Sequence, residues 1–199
     1  MKAVIKEKLK DSQYLYRMAS MFYHLVIVIL YYVFRIVSID PNKIVFCNFY
    51  GGGYGGNPKY IAEELFRQGI KCDMVWLLRD ELMDSNELPS WIRPVRYDSI
   101  RAVYEMVTAR VWIDNSRKDY YIKKRRGQYY IQTWHGVMAY KKCEGDAVDT
   151  LPPSYVQAAI ADSKKADLML SGISIDIDSF RGVFWYDGEV LKCGAPKTD

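Results

Sequence analysis

The chain divides near Asp40-Pro41. Before it lies an unbroken apolar stretch, Met18 to Phe34; after it, short apolar runs alternate with polar breaks containing Gly or Pro. Runs of this length bounded by turn formers read as buried strands. They are Lys43 to Phe49 (KIVFCNF), Lys71 to Leu78 (KCDMVWLL), Ile92 to Tyr97, Arg110 to Ile113, Gln128 to Trp134, Asp167 to Leu170 and Glu189 to Lys192. Pro94 weakens the third. Between them, Pro58 to Gln68 reads as a helix, with Pro58 in its first turn and Gly69 at its end. Ser99 to Thr108 is a second helix, with Asp98 as its cap; Ser154 to Lys165 and Ile175 to Phe184 are two more. Strands alternating with helices of this size predict an α/β fold, a Rossmann-like parallel sheet flanked by helices.

Residues 1–17 are basic, with Lys2, Lys6, Lys8, Lys10 and Arg17 outnumbering Glu7 and Asp11. The following 17 apolar residues lie at the lower limit for crossing a bilayer. A cleaved signal peptide fits poorly, because Tyr31, Tyr32 and Phe34 stand where a small-residue cleavage site would be. A spanning helix, a helix lying in the membrane face and a buried core helix all remain open. Membrane association is the favoured expectation, without a fixed topology. Residues 1–40 therefore form an N-terminal membrane-associating segment and 41–192 the Rossmann-like domain.

Composition narrows the class further. With 199 residues and 50% apolar content, the chain can bury one ordinary core and is not disordered. Cys47, Cys72, Cys143 and Cys193 form no CxxC pair, so they read as separate thiols rather than a disulfide or metal framework. A net charge of +4 does not call for nucleic acid.

Four constellations carry candidate chemistry. The loop Gly51 to Gly56 joins the first strand to the first helix, where open α/β sheets bind ligands. Gly52, Gly53, Tyr54, Gly55, Gly56 and Asn57 are candidate substrate contacts, since bare backbone at a helix start suits a phosphate or hydroxyl. The same glycines also read as a tight crossover turn. They satisfy G-x-G-x-x-G only because five of six positions are Gly, and Asp80 follows an intervening Arg79 where a dinucleotide fold wants its acid. The second is Gln132-Thr133-Trp134-His135-Gly136. His135 follows a strand, and imidazole suits proton abstraction near neutral pH; Trp134, Gly136, Lys141 and Lys142 are candidate substrate contacts beside it. The third is a basic stretch, Arg117, Lys118, Lys123, Lys124, Arg125 and Arg126. It reads either as a solvated connection or, at Lys123, Lys124, Arg125 and Arg126, as a contact for a membrane or another polyanion. The fourth, Asp162-Ser163 at a helix end, is a weak signal that reads first as part of an ordinary amphipathic helix. No metal site is evident.

Taken in order, GGYGGNPKY (52–60), DMVWLL (73–78), ARVWIDNSRK (109–118), QYYIQTWHG (128–136), Lys141-Lys142, Ala161-Asp162-Ser163 and FWYDGEVLKCG (184–194) resemble the CDP-glycerol glycerophosphotransferase family of teichoic acid biosynthesis. The resemblance implies one half of a GT-B-type fold, with this chain as the N-terminal, acceptor-side portion. Residues 193–199 would begin a linker to a C-terminal domain that binds the donor, CDP-glycerol. It also implies a bacterial transferase at the cytoplasmic face of the cell membrane, releasing CMP and needing no cofactor. The acceptor would be a lipid-linked glycerol-phosphate or saccharide chain. Other expected partners are the membrane surface and a second copy in a homo-oligomer, with no nucleic acid. The family's catalytic histidine maps onto His135. Where the family carries Arg after Pro near residue 196, this chain has Lys197. Two other function classes stand beside this one: a non-catalytic membrane- or RNA-binding α/β adaptor, and a dinucleotide-binding oxidoreductase domain.

Overall fold

The computed structural model describes residues 13–84, 88–119, 121–135, 142–171 and 177–198. Its elements are α1 (Gln13–Val33), β1 (Asp40–Cys47), α2 (Gly56–Arg67), β2 (Asp73–Leu78), β3 (Arg93–Arg96), α3 (Ile100–Thr108), β4 (Ala109–Asp114), β5 (Tyr129–Gln132), α4 (Pro153–Ser163), β6 (Leu168–Ser171), α5 (Ile177–Phe184) and β7 (Glu189–Lys192). All neighbouring strands pair in parallel, in the order β3-β2-β1-β4-β5-β6-β7. The chain winds outward from β1 through β2 to β3, then crosses back to β4 on the other side. That reversal opens a crevice at the carboxyl ends of β1 and β4, where doubly wound sheets bind ligands.

Side chains alternate across the sheet. Val45, Cys47, Val75, Leu77 and Trp112 face Ala102 and Met106 of α3. Phe46, Met74, Trp76, Leu78 and Ile113 form the opposite face with Ala62 of α2. Pro94 is accommodated because β3 lies at the sheet edge, where a missing N–H leaves no ladder partner unsatisfied.

Most elements start or stop one to three residues from the expected bounds, and three of the differences have a local cause. The expected strand to Phe49 ends at Cys47, since Phe49 and Tyr50 turn into left-handed backbone at φ 42° and 56°. The strand expected to Trp134 ends at Gln132 for the same reason, Trp134 having φ 53°. The cap of α3 is Ser99 rather than Asp98: Ser99 Oγ accepts the Ala102 N–H at 3.0 Å.

Helix α1 is not a core helix, because only 11% of the span Arg17–Ile36 is buried. Ile27 and Tyr31 pack on Val103 and Val107 of α3, and His24 stacks on Tyr121 at 4.6 Å. Arg125 fixes the exit of the helix by donating to the carbonyls of Arg35 (3.1 Å), Val37 (2.7 Å) and Val107 (3.2 Å). The opposite face exposes Met18, Met21, Phe22, Leu25, Ile29 and Tyr32 at helical spacing, a continuous apolar stripe.

A charge cluster ties β1, β2, β3 and α3 together. Glu105, fully buried, pairs with Lys43 (2.8 Å), Arg93 (2.8 Å) and Arg101 (2.6 Å), and Arg93 also pairs with Asp73 at 2.6 Å. Burial alone would raise the Glu105 pKa; the hydrogen bonds from Arg93, Lys43 and Arg101 outweigh it and pull the value down to about 2. A carboxylate whose folded pKa lies below its unfolded value stabilises the fold above the unfolded value, and that stability fades as pH falls towards about 2. Glu105→Gln is expected to lose about 3 kcal/mol at neutral pH, because three cations lose their counter-charge. Denaturant melts should show that difference shrinking between about pH 4.5 and 2.

Candidate active site

The site forms where the carboxyl ends of β1, β4 and β5 meet. Beyond β1 come Asn48, Phe49 and Tyr50; beyond β4, Asn115 and Ser116; beyond β5, Thr133, Trp134 and His135. Phe49, Tyr50 and Trp134 all carry positive φ, which costs of order 1 kcal/mol or more per non-glycine residue. Polar side chains hold each of them. Asn115 Oδ1 accepts the Phe49 N–H (2.9 Å) and Ser116 Oγ accepts the Tyr50 N–H (3.3 Å). Arg79 forks onto the carbonyls of Tyr50 (3.1 Å) and Phe49 (3.2 Å). Gln132 Oε1 accepts the Trp134 N–H at 2.9 Å, and Asn57 Nδ2 donates to the carbonyls of Thr133 (3.0 Å) and Trp134 (3.1 Å).

His135 sits half-buried in this frame, its ring 4.4 Å from that of Trp134 and 4.9 Å from that of Phe49. Its Nδ1 lies 2.6 Å from the Asn115 carbonyl oxygen. A carbonyl only accepts, so Nδ1 carries the hydrogen and Nε2 keeps the lone pair of the neutral ring. The geometry thus selects the tautomer that presents a base at Nε2. Among the described residues, no protein group hydrogen-bonds Nε2. Lys197 Nζ, exposed, lies 3.5 Å from the His135 carbonyl, and its backbone N–H reaches Asn57 Oδ1 at 3.3 Å.

The glycine loop meets this site, through contacts that are largely its own packing. At Gly56 (φ 62°) an added Cβ would lie 2.7 Å from both Asn48 Oδ1 and Asn115 Nδ2, which bond each other at 2.6 Å. At Gly51 (φ 80°) it would meet the Arg79 backbone and Tyr97 at 3.0 Å. The Gly53 carbonyl accepts from Trp76 Nε1 and Asn48 Nδ2. Gly52 is exposed, and Gly55 precedes the first turn of α2. Tyr54 turns away from His135: its hydroxyl reaches Glu63 at 3.3 Å and its ring packs on Trp76. Gly136 and Lys141 lie outside the described residues, and Lys142 is exposed.

The basic stretch does not behave as one surface. Arg117 and Lys118 are buried, contrary to the expectation of a solvated or anion-contacting connection. Arg117 pairs with Glu144 and Asp162, donates to Ser163 Oγ at 2.9 Å, and lies 5.4 Å from the centre of the Trp134 ring. Burial pushes against the Arg117 charge, but hydrogen bonding to Glu144 and the charges of Glu144 and Asp162 raise its pKa overall. Lys118 donates to Asp114 Oδ2 at 2.6 Å. Lys124 pairs with Asp167, and Arg125 is occupied by the α1 exit. Lys123 and Arg126 are exposed.

Asn48 and Asn115 escaped the sequence reading as site residues, and Gln132 and Arg117 entered it only as members of their constellations, without these roles. The available signal was the run Asp114-Asn115-Ser116-Arg117-Lys118 directly after an apolar strand, a polar cluster at the edge where such sheets place their sites.

The family model for CDP-glycerol:poly(glycerophosphate) glycerophosphotransferase matches residues 29–199. A teichoic acid poly(glycerol phosphate) polymerase of Staphylococcus epidermidis is 29% identical over 167 residues, covering 81% of this chain and 23% of its own length. The corresponding protein of Bacillus spizizenii is 28% identical over 180 residues, covering 84% and 44%. A teichoic acid glycerol-phosphate transferase of Staphylococcus aureus is 25% identical over 181 residues, covering 85% and 45%. The chain thus spans less than half the length of these curated relatives. A solved structure of the wall teichoic acid polymerase TagF with CDPG superposes with a TM-score of 0.74 at 24% identity, over 93% of this chain and 49% of that one, and shares its fold.

Proposed function

The chain belongs to the CDP-glycerol:poly(glycerophosphate) glycerophosphotransferase family, and from that premise we propose that it forms the acceptor-side part of an enzyme that transfers glycerol phosphate from CDP-glycerol to a teichoic-acid-type polymer. His135 Nε2 takes the proton of the acceptor hydroxyl. The hydroxyl oxygen bonds to the phosphorus that carries the glycerol, and the bond from that phosphorus to the oxygen of CMP breaks. The Asn115 carbonyl holds the imidazole in the tautomer this step needs, and that 2.6 Å contact is the observation that carries the reading. Lys197, beside the His135 carbonyl, adds positive charge where a phosphoryl group would sit.

The test uses the full-length protein with CDP-glycerol and vesicles bearing a lipid-linked glycerol-phosphate acceptor. CMP release that depends on the acceptor, with glycerol phosphate incorporated into the vesicle fraction, is expected. Absence of acceptor-dependent CMP release ends the reading.

Membrane attachment through α1 is part of the same proposal. The docked face of the helix leaves its apolar stripe outward, and exposed Lys123 and Arg126 lie on the loop whose Tyr121 and Arg125 hold the helix. A helix held sideways against its own domain suits lying in the bilayer face of the cytoplasmic leaflet. Phe22→Asp combined with Leu25→Asp is expected to weaken sedimentation with anionic vesicles by roughly tenfold or more, since two apolar side chains leave the membrane. Ile27 and Tyr31, which dock the helix, are untouched, so circular dichroism should not change.

A further inference from the structure

The contact that orients His135 joins two loops that no backbone ladder connects. Strands β4 and β5 stay in register as far as Asp114 and Gln132, and the Thr133 N–H makes a last bond to the Asp114 carbonyl at 2.8 Å. Beyond it the two backbones part. The Ser116 N–H turns back onto Asp114 Oδ1 at 2.9 Å, and Trp134 enters left-handed backbone. His135 Nδ1 and the Asn115 carbonyl nevertheless meet at 2.6 Å.

The Gln132 side chain spans this gap. It is wholly buried. Its Nε2 donates to the Ser116 carbonyl at 3.0 Å and to the Tyr130 hydroxyl at 2.9 Å, and its Oε1 accepts the Trp134 N–H at 2.9 Å. A carbonyl only accepts and a backbone N–H only donates, so the amide fits only this way round. A buried amide costs stability unless it is matched, and here both of its hydrogens and its oxygen are matched. The two backbone partners bracket the orienting contact: Ser116 follows Asn115, and Trp134 precedes His135.

We propose that Gln132 is a positioning residue: it clamps the loop after β4 to the loop after β5 and thereby sets which nitrogen of His135 carries the hydrogen. It acts through the Asn115 carbonyl and does not touch substrate. With the clamp removed the loops separate, the Nδ1 hydrogen loses its acceptor, and the ring populates the other tautomer. That tautomer presents an N–H at Nε2, where a base needs a lone pair. Only this catalytic consequence rests on the transferase reading. Tyr130 supplies the contrast. Its hydroxyl also donates to Asp162 Oδ2 at 3.4 Å, so Tyr130→Phe cuts the same buried network while leaving both loop bonds in place.

Nitrogen-15 NMR of histidine-labelled full-length protein in detergent micelles tests the clamp without substrate. Spectra are taken at mildly alkaline pH, where free imidazole is neutral, and the His135 signal is assigned by its loss in His135→Ala. The unaltered protein should show the hydrogen on Nδ1. Gln132→Met, which keeps the length and removes the polar atoms, should show a mixture of tautomers. Gln132→Glu keeps the acceptor for Trp134 but sets an oxygen against the Ser116 carbonyl; it should do the same, and serves if the Met variant fails to fold by circular dichroism. Tyr130→Phe should melt earlier with the ring unchanged. In transfer assays Gln132→Met should lower kcat roughly 10- to 100-fold with KM changed less than about twofold. In the unaltered protein the Gln132 side-chain hydrogens should exchange with solvent as slowly as the β5 amides. An unchanged ring in a folded Gln132 variant, an equal change in Tyr130→Phe, or rapid exchange of those hydrogens would overturn the proposal whatever the activity. A mixed tautomer in a protein without acceptor-dependent CMP release upholds the clamp and ends the transferase reading alone.

Discussion

His135→Ala in the full-length protein is expected to lower the transfer rate by about 10²–10⁴-fold, the range over which a positioned general base contributes. The loss should fall on kcat, because the imidazole acts on the proton in flight rather than on the acceptor at rest. Free imidazole should restore part of the rate in this variant: the deleted ring leaves a space between Trp134 and Phe49 with the Asn115 carbonyl still in place to orient the substitute. A variant with unchanged kcat would remove His135 from the chemistry. The orienting acceptor is a backbone carbonyl, so no side-chain change at Asn115 deletes it directly. Its position depends on β4 and on the Asn48–Asn115 bond.

Arg117→Met is expected to destabilise the fold by about 3–5 kcal/mol, the penalty for stripping one partner from a buried ion cluster. Glu144 would remain in the interior without its cation and Asp162 with Lys165 alone at 3.9 Å; both carboxylates are nearly inaccessible at 3% and 0% exposure. Burial is already the leading influence on Asp162 and raises its pKa even with Arg117 beside it. Without Arg117 the carboxyl shifts further up. A carboxyl whose folded pKa exceeds its unfolded one binds more protons when folded, so stability then rises as pH falls. The deficit of the variant should therefore be smaller in mildly acid buffer than at neutral pH, measured by urea melts. A deficit that grows on acidification would contradict the assignment of Arg117 as counter-ion. The Trp134 ring over Arg117 ties this cluster to the loop that carries His135, so under the proposed function residual activity should fall with stability.

Much of the architecture was legible because it rests on local patterns. Runs such as DMVWLL and RVWI suit strands buried on both faces, and their alternation with helices of ordinary starts and stops points to a parallel sheet. Strand ends were less legible. Phe49, Tyr50 and Trp134 are residues that favour extended backbone, and they are held in left-handed turns largely by side chains distant in sequence, Asn115, Ser116, Arg79 and Asn57, with Gln132 the one local partner. His135 stood out as a histidine behind a strand, but its partner did not, since a backbone carbonyl leaves no mark in a sequence. The basic stretch was the least legible part. Lysine and arginine look alike whether solvated or paired, and their partners Glu144, Asp162, Asp114 and Asp167 lie up to 45 positions away.

The left-handed residues around His135 set two demands against each other. Glycine at position 49 or 50, both exposed, would relax the left-handed backbone, yet glycine at 49 would also delete a ring on which the imidazole rests, and glycine at 134 would delete another and empty a buried site as well. Selection for thermal robustness and selection for catalytic order therefore pull these positions in opposite directions, and a stabilised variant obtained by loosening them should be a poorer enzyme.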